Sequence, residues 1–414
     1  MVLRYAQYYG KMTWRRVDMR LIDFNYESYS QEKMIIVYGT EGFGRIVHYC
    51  LKQKNIVPDY YVNGKGKGYF FGVPVIDINK LSEIYQDKHP IILLAVGRAS
   101  KDVIIKLSMN KIDDVYSIYS LLETAIDIGN LIDPIYGQRM FYLAQQERFI
   151  ENDKLILDTL DIVVTEKCSL KCGKCSNLMQ YYQNPQNLDI YEIKDSLNKV
   201  LEIADCIYEL RILGGEPFMN PDFYRLIDWY KDNPKIKHID ILTNATIFPE
   251  DSKLDKLKDP KVKIWVSDYG KLSKRIYDWL KWCENNKIEC LYHIFDGWND
   301  CGDLKKHNYS LNEIKYVYET CGCRQLPTLL KGRLFNCPYA ANAVNLGALF
   351  DNELETDSLK VTDPKITKQM IKDFLFERDY LMSCDYCNGR HGLSVTPHEQ
   401  IDKPLTYERR SVSL

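Results

Sequence analysis

A chain of 414 residues exceeds one typical hydrophobic core, so two or three domains of roughly 100–200 residues each are expected. Hydrophobic residues at 45% and charged residues at 27% exclude a disordered chain, and no apolar run reaches the ~20 residues of a membrane span. A net charge of −2 supplies no long-range field for a phosphate backbone, so neither nucleic acid nor a membrane is expected as a partner.

Residues 1–33 are aromatic and charged without a period and are assigned no element. Their basic, Tyr-rich start lacks the apolar core of a secretory signal. Thirteen cysteines, an odd count in tight local clusters, fit metal ligation better than a disulfide framework, which predicts a reducing cytoplasm.

From Met34 the pattern sharpens. The run MIIVYGTEGFG reads as a strand ending in a Gly-rich turn, and RIVHYCLKQKN as a helix. DYYVNG, GVPVID and PIILLAVGR add strands, so residues 34–125 are expected to form a small doubly wound, Rossmann-like sheet. A helical connector over 126–155, helical from about Pro134 to Asn152, leads to a second βα series over 156–310. Its strand-like runs are LDIVV, YELRILGG, HIDILTNAT, VKIWVSD and ECLYHIFD, separated by amphipathic segments such as FYRLIDWYKDN and KLSKRIYDWLKWCENN. That alternation predicts an α/β, barrel-like parallel sheet. Residues 311–414 lose the regularity, gain cysteines and glycines, and carry a last helix, ITKQMIKDFLFERDYLM, before a C-x2-C.

Just after the first barrel strand stands Cys168-Ser-Leu-Lys-Cys172-Gly-Lys-Cys175. Three thiolates on one short loop can hold three irons of a cubane and leave the fourth open for a ligand. A structural zinc site lacking one ligand, or cysteines adjacent by chance, are the bland readings. Gly214-Gly215-Glu216-Pro217 follows the strand YELRI in step with this triplet.

Together the two motifs resemble the radical SAM superfamily. The resemblance implies a partial (β/α)6 barrel, S-adenosylmethionine as cofactor and a catalytic [4Fe–4S] cluster on Cys168, Cys172 and Cys175. It further implies that the backbone of Gly214, Gly215 and Pro217 and the carboxylate of Glu216 receive the methionine ammonium. Strand-end Thr243, Asn244 and Ser267 would contact the ribose and carboxylate of the cofactor. In this family a reduced cluster passes an electron to the sulfonium, and the resulting 5′-deoxyadenosyl radical takes hydrogen from the substrate. A flavodoxin or ferredoxin would supply the electron. The family's aromatic residue before the third cysteine is replaced by Lys174.

Cys321-Gly-Cys323, Gly332-x4-Cys337 and Cys384-x2-Cys387 resemble the twitch extension, a truncated SPASM domain that holds a second, auxiliary [4Fe–4S] cluster. Cys337, Cys384 and Cys387 would supply three ligands and either Cys321 or Cys323 the fourth; a four-cysteine zinc ribbon is the alternative. Cys50, Cys206, Cys283, Cys290 and Cys301 read as packing residues.

Gly39, Gly42 and Gly44 open the first helix, where backbone N–H groups can bind phosphate. Their spacing departs from the dinucleotide fingerprint, and Asn63 stands where an acid is required. The segment through Gly72-Val-Pro-Val resembles the nucleotide-sugar-binding domain of bacterial sugar acyltransferases; dinucleotide binding and a purely structural role remain open. A carbohydrate or nucleotide-linked sugar is therefore the expected substrate, altered by dehydrogenation, epimerisation or related C–H chemistry, with peptide maturation and a non-catalytic, zinc-stabilised nucleotide-binding protein as alternatives. Tyr269, His293, Asp296 and Trp298, at or beyond the later strand ends, are candidate proton or hydrogen donors.

Overall fold

The computed structural model describes residues 21–29, 32–97, 100–124, 139–295, 297–389, 394–411 and 414, the side chains of 100–102 apart. Most of the 1–33 leader, residues 125–138 of the connector and the candidate Asp296 lie outside the described residues. The chain divides into two compact units, Met1–Lys154 and Leu155–Leu414.

In the first unit, seven strands form one sheet: β1 (Ile22–Asp23), β2 (Ile35–Tyr38), β3 (Tyr60–Val62), β4 (Tyr69–Phe70), β5 (Val73–Ile76), β6 (Ile91–Leu94) and β7 (Val115–Ser117). Their order is β1-β7-β6-β2-β3-β5-β4, parallel throughout except for β4 against β5. The continuous apolar runs of β2 and β6 suit strands covered on both faces, and β2 is buried along its whole length. The helix Gly42–Gln53 turns Phe43, Ile46, Val47 and Cys50 inward, and Ile78–Lys88 is capped by Asp77, which accepts from the Lys80 N–H at 2.9 Å. Strand β1 falls in the segment to which the sequence assigned nothing; two residues on the edge of β7 are too short to show a period. Of the connector, Arg139–Ile150 is helical.

The second unit is built on an eight-stranded sheet. Strands β8 (Ile156–Thr165), β9 (Cys206–Gly214), β10 (Ile236–Thr243), β11 (Val262–Asp268) and β12 (Glu289–Ile294) are parallel neighbours and occupy the five runs expected from the sequence. Past the short β13 (Trp298–Asn299), the sheet continues on the other side of β8 with β14 (Thr328–Leu330), β15 (Arg333–Phe335) and β16 (Ser358–Lys360). Strand β14 is parallel to β8 and so takes the sixth parallel place, while β15 and β16 run antiparallel. The sheet is thus an open barrel with edges at β12 and β16, and it runs across the boundary expected near residue 310. A last pair joins β13 to β17 (Ser394–Val395). The final helix spans Lys368–Phe376, shorter than its apolar pattern, with Thr367 capping its start.

One face of the sheet buries Leu160, Ile162 and Val164 of β8 against Leu197, Val200 and Ile227 of the surrounding helices. The alternate positions carry charge. Arg211 of β9 stands beside Asp161 of β8 and Asp240 of β10, and Asp240 beside Lys263 of β11. The Arg211 guanidinium donates to both Asp161 oxygens, at 2.7 and 3.1 Å. At the strand ends, buried Glu216 ties β9 to β10, accepting from the Thr243 hydroxyl at 2.9 Å and the Asn244 N–H at 2.8 Å. Burial pushes the Glu216 carboxyl up to about 7, against the pull of those hydrogen bonds.

Two outcomes follow from these buried charges. Asp161→Ala removes the carboxylate that the Arg211 guanidinium hydrogen-bonds and is expected to cost about 3–5 kcal/mol in urea unfolding, whereas Asp161→Leu with Arg211→Met should cost clearly less. Because Glu216 holds its proton more tightly when folded than its ordinary 4.5 allows, it lowers stability as pH rises from 4.5 to about 7, and the penalty is complete above that range. Melting temperatures of wild type and Glu216→Gln should therefore diverge across that window in favour of the variant; parallel curves would contradict this.

Candidate active site

The site begins where β8 ends. The Gly215 N–H donates to the Thr165 carbonyl at 3.0 Å and the Glu216 N–H to the Lys167 carbonyl at 2.9 Å, so the ends of β8 and β9 lie against each other. A Cβ on Gly214 would overlap the Thr165 carbonyl oxygen, and one on Gly215 the Lys167 carbonyl oxygen. Only glycine allows this approach. The loop that follows turns tightly, with the Cys175 N–H donating to the Cys172 carbonyl at 3.3 Å.

Cys168, Cys172 and Cys175 line one cavity of about 390 Å³, together with Gly214, Gly215 and Asn244. Tyr269, Phe295 and Trp298 line it as well. The sulfurs have donors: the Leu170 N–H at Cys168, the Asn244 amide at 3.6 Å from Cys168, and the Gln400 amide at 3.2 Å from Cys172. Burial raises the Cys168 thiol and pushes Cys172 up to about 11, so binding of a cation must draw off these protons. Soft thiolates on one loop, with N–H donors to the sulfurs and glycine backbone beside them, fit an iron–sulfur cluster with one open iron. Among the described residues no three His, Cys, Asp or Glu side chains are placed to hold one metal ion together. A cubane takes each thiolate on a separate iron.

The sequence-derived candidates fall into several places. Asn244 lines the cavity, its side-chain Oδ1 accepting from the Thr246 N–H at 3.0 Å. Glu216, Pro217, Thr243 and Ser267 are not among the lining residues. The Glu216 carboxylate accepts from the Thr243 hydroxyl and from the Asn244 and Phe218 N–H groups, and so braces the strand ends. Ser267 hydrogen-bonds the Tyr269 phenol, whose proton burial holds more tightly than usual. Tyr269 and Trp298 form an edge-to-face pair 5.4 Å apart, and the His398 ring lies 5.6 Å from Tyr269. His293 is exposed and packs on Phe295 at 4.3 Å, outside the lining. Lys174 lines the cavity and pairs with Asp300 at 2.7 Å.

The C-terminal cysteines come together around buried groups. Cys337, at the start of the helix Pro338–Asn345, is raised by burial and by the neighbouring Cys321, Cys323 and Cys384 sulfurs. Cys387 hydrogen-bonds Cys301, and the Gly389 N–H donates to Cys387 at 3.3 Å. Both Cys321 and Cys323 therefore neighbour Cys337, while Cys301, read from sequence as a packing residue, joins the group; no motif marked it. Gln400 was likewise missed, because nothing in sequence connects it to a loop 228 positions earlier.

In the first unit, Gly39, Gly42 and Gly44 follow β2, which lies between β3 and β6. A Cβ on Gly39 would overlap the Ala95 carbonyl oxygen and one on Gly44 the Gly39 carbonyl oxygen, so chain packing already requires these two glycines. Asn63 accepts from the N–H groups of Lys65 and Gly66, both at 2.9 Å, and forms a turn.

Residues 162–267 match the radical SAM superfamily model. GTP 3′,8-cyclase of Clostridium acetobutylicum is 31% identical over 98 residues, 23% of this chain and 30% of that protein. GTP 3′,8-cyclase of Clostridium perfringens (strain 13) is 29% identical over 160 residues, 34% of this chain and 48% of that protein. The chain thus spans about a third to a half of the length of the curated relatives it matches. Among solved structures, anSMEcpe with bound AdoMet aligns at 15% identity and TM-score 0.38, over 55% of this chain and 83% of that one. BtrN with AdoMet and 2-DOIA aligns at 16% and 0.36, over 61% and 100%. The superfamily match embraces both the cysteine loop and the Gly214–Gly215 turn: residues 162–267 of the chain carry a radical SAM domain.

Proposed function

We propose that the enzyme takes a hydrogen atom from a carbon of a carbohydrate or nucleotide-linked sugar, leading to dehydrogenation, epimerisation or related C–H chemistry. The observation that carries this reading is the convergence of Cys168, Cys172 and Cys175 with Gly214, Gly215 and Asn244 on one cavity walled by Tyr269, Phe295 and Trp298. When bound there, the cluster and S-adenosylmethionine supply the 5′-deoxyadenosyl radical.

The chain's own part is binding, orientation and exclusion of water. Cys168, Cys172 and Cys175 ligate the cluster. The Gly214–Gly215 backbone, free of side chains, receives the methionine moiety, and Asn244, held through Glu216 and Thr246, presents its amide beside Cys168. Tyr269, its proton retained by burial, stands as donor to a substrate radical or oxyanion. The aromatic wall suits the apolar face of a sugar ring or a base, and Lys174 offers a cation to a phosphate.

The curated relatives are named for a reaction of GTP, a ribose nucleotide. A nucleotide-linked sugar shares that phosphorylated ribose, so their names favour a nucleotide-bearing substrate over a peptide. Cys337, Cys384, Cys387 and one of Cys321 and Cys323 would hold an auxiliary [4Fe–4S] cluster able to accept an electron from the substrate. A low-potential flavodoxin or ferredoxin would reduce the catalytic cluster, and cysteines clustered for metal ligation favour a reducing, cytoplasmic setting. No helix among the described residues is long and apolar enough to cross a membrane.

The test is anaerobic purification with iron, sulfide and zinc counted per chain, followed by reduction with S-adenosylmethionine and assay of 5′-deoxyadenosine. About eight irons are expected, falling to about four in the Cys168, Cys172 and Cys175→Ala triple variant, with 5′-deoxyadenosine lost. Zinc without iron and no cleavage would leave a binding protein. With two clusters present, Cys337→Ala should remove the other four irons and leave 5′-deoxyadenosine formation without substrate within about threefold.

A further inference from the structure

The segment after β17 returns to the cysteine loop. The Gly173 N–H donates to the Glu399 carbonyl and the Ile401 N–H to the Lys171 carbonyl, both at 2.8 Å, so Cys172 and Gln400 face each other across an antiparallel bridge. A Cβ on Gly173 would come within 2.9 Å of the Ile401 side chain. The segment is fastened on either side of this bridge. Ser394 and Val395 pair with Asn299 and Trp298, while the Leu405 N–H donates to the Gln180 carbonyl at 2.8 Å and the Tyr407 hydroxyl to the Leu346 carbonyl at 2.6 Å.

Within the bridge the Gln400 amide has one orientation. Its oxygen lies 2.7 Å from the Lys171 N–H, which can only donate. Its nitrogen lies 2.7 Å from the His398 carbonyl, which can only accept, and 3.2 Å from the Cys172 sulfur. Turning the amide over would set nitrogen against N–H and oxygen against carbonyl, so the sulfur faces an N–H donor. Although Gln400 sits on the solvent side of the loop, its amide oxygen and nitrogen are both engaged.

We infer that Gln400 is a positioning residue for the catalytic cluster, holding the Cys172 sulfur by an N–H···S hydrogen bond that makes the cluster easier to reduce. This rests on the reading that Cys172 ligates that cluster. One-electron reduction, by a flavodoxin- or ferredoxin-type donor or by dithionite, adds negative charge that spreads onto the ligand sulfurs, and an N–H aimed at one of them stabilises the reduced state more than the oxidised one. The longer Asn244 contact to Cys168 acts in the same sense from within the barrel.

A potentiometric titration of the reduced-cluster EPR signal, on the holoenzyme reconstituted without oxygen, tests this. Gln400→Leu keeps the volume and removes the donor; the expected result is wild-type iron content with the reduction equilibrium at least tenfold less favourable, a midpoint lower by about 59 mV or more. Gln400→Glu, which sets a carboxylate against the sulfur, should fall further. An unchanged midpoint in an iron-replete leucine variant overturns the inference. If the leucine variant does not retain iron, the wild type decides: glutamine labelled with 15N in its side chain must give a hyperfine coupling on the signal that S-adenosylmethionine perturbs, and its absence overturns the inference. A wild type that holds no iron overturns the underlying reading instead.

Discussion

The close approach of two backbones at the ends of β8 and β9 is the constraint on which the rest depends. Gly214 and Gly215 lie against the carbonyls of Thr165 and Lys167 with no room for a side chain. The contact sets where the chain leaves β8, and hence where the loop carrying Cys168, Cys172 and Cys175 begins. It also leaves bare backbone in the lining of the cavity beside Cys168, where a bound cofactor can come close. A larger residue at either position would move both walls at once.

Around that contact the strand ends are braced in series. Glu216 draws Thr243 and Asn244 toward β9, Asn244 reaches back to Cys168 and Ser169, and the Ser273 hydroxyl binds the carbonyls of Asn244 and Ser267. Beneath this layer the Asp161–Arg211 pair, with Asp240 and Lys263, puts charge on the face opposite the helix-facing core, next to Val163 and Leu213. Such an interior specifies register, since a one-residue slip would bring charge into the helix-facing core. From the other edge of β8, strands β14 to β16 continue the same sheet, and Cys337 follows β15 closely. The second cysteine group is therefore tied to the strand that leads into the first.

Much of this was legible in sequence, for identifiable reasons. The five runs that became β8 to β12 are long, apolar or alternating, and bounded by turn residues. The C-x3-C-x2-C loop and the Gly214–Gly215 turn are local motifs whose meaning does not depend on distant partners. What escaped was non-local. Strand β14 has three residues, and its place beside β8 follows from pairing that no period encodes. Cys301 meets Cys387 and Gln400 meets Cys172 only through the folded chain. Glu216 also braces the two strand ends, its oxygens accepting from Thr243, Asn244 and Phe218, partners that a four-residue motif cannot reveal.

The central claim is that the loop Cys168–Cys175 presents an iron with an open position to S-adenosylmethionine. The most direct measurement is the EPR spectrum of the anaerobically reduced enzyme before and after adding S-adenosylmethionine. A [4Fe–4S] signal that changes shape on addition is expected in the wild type, with that responsive component missing once Cys172 is replaced. An iron signal indifferent to S-adenosylmethionine, or one that responds equally without Cys172, would contradict it.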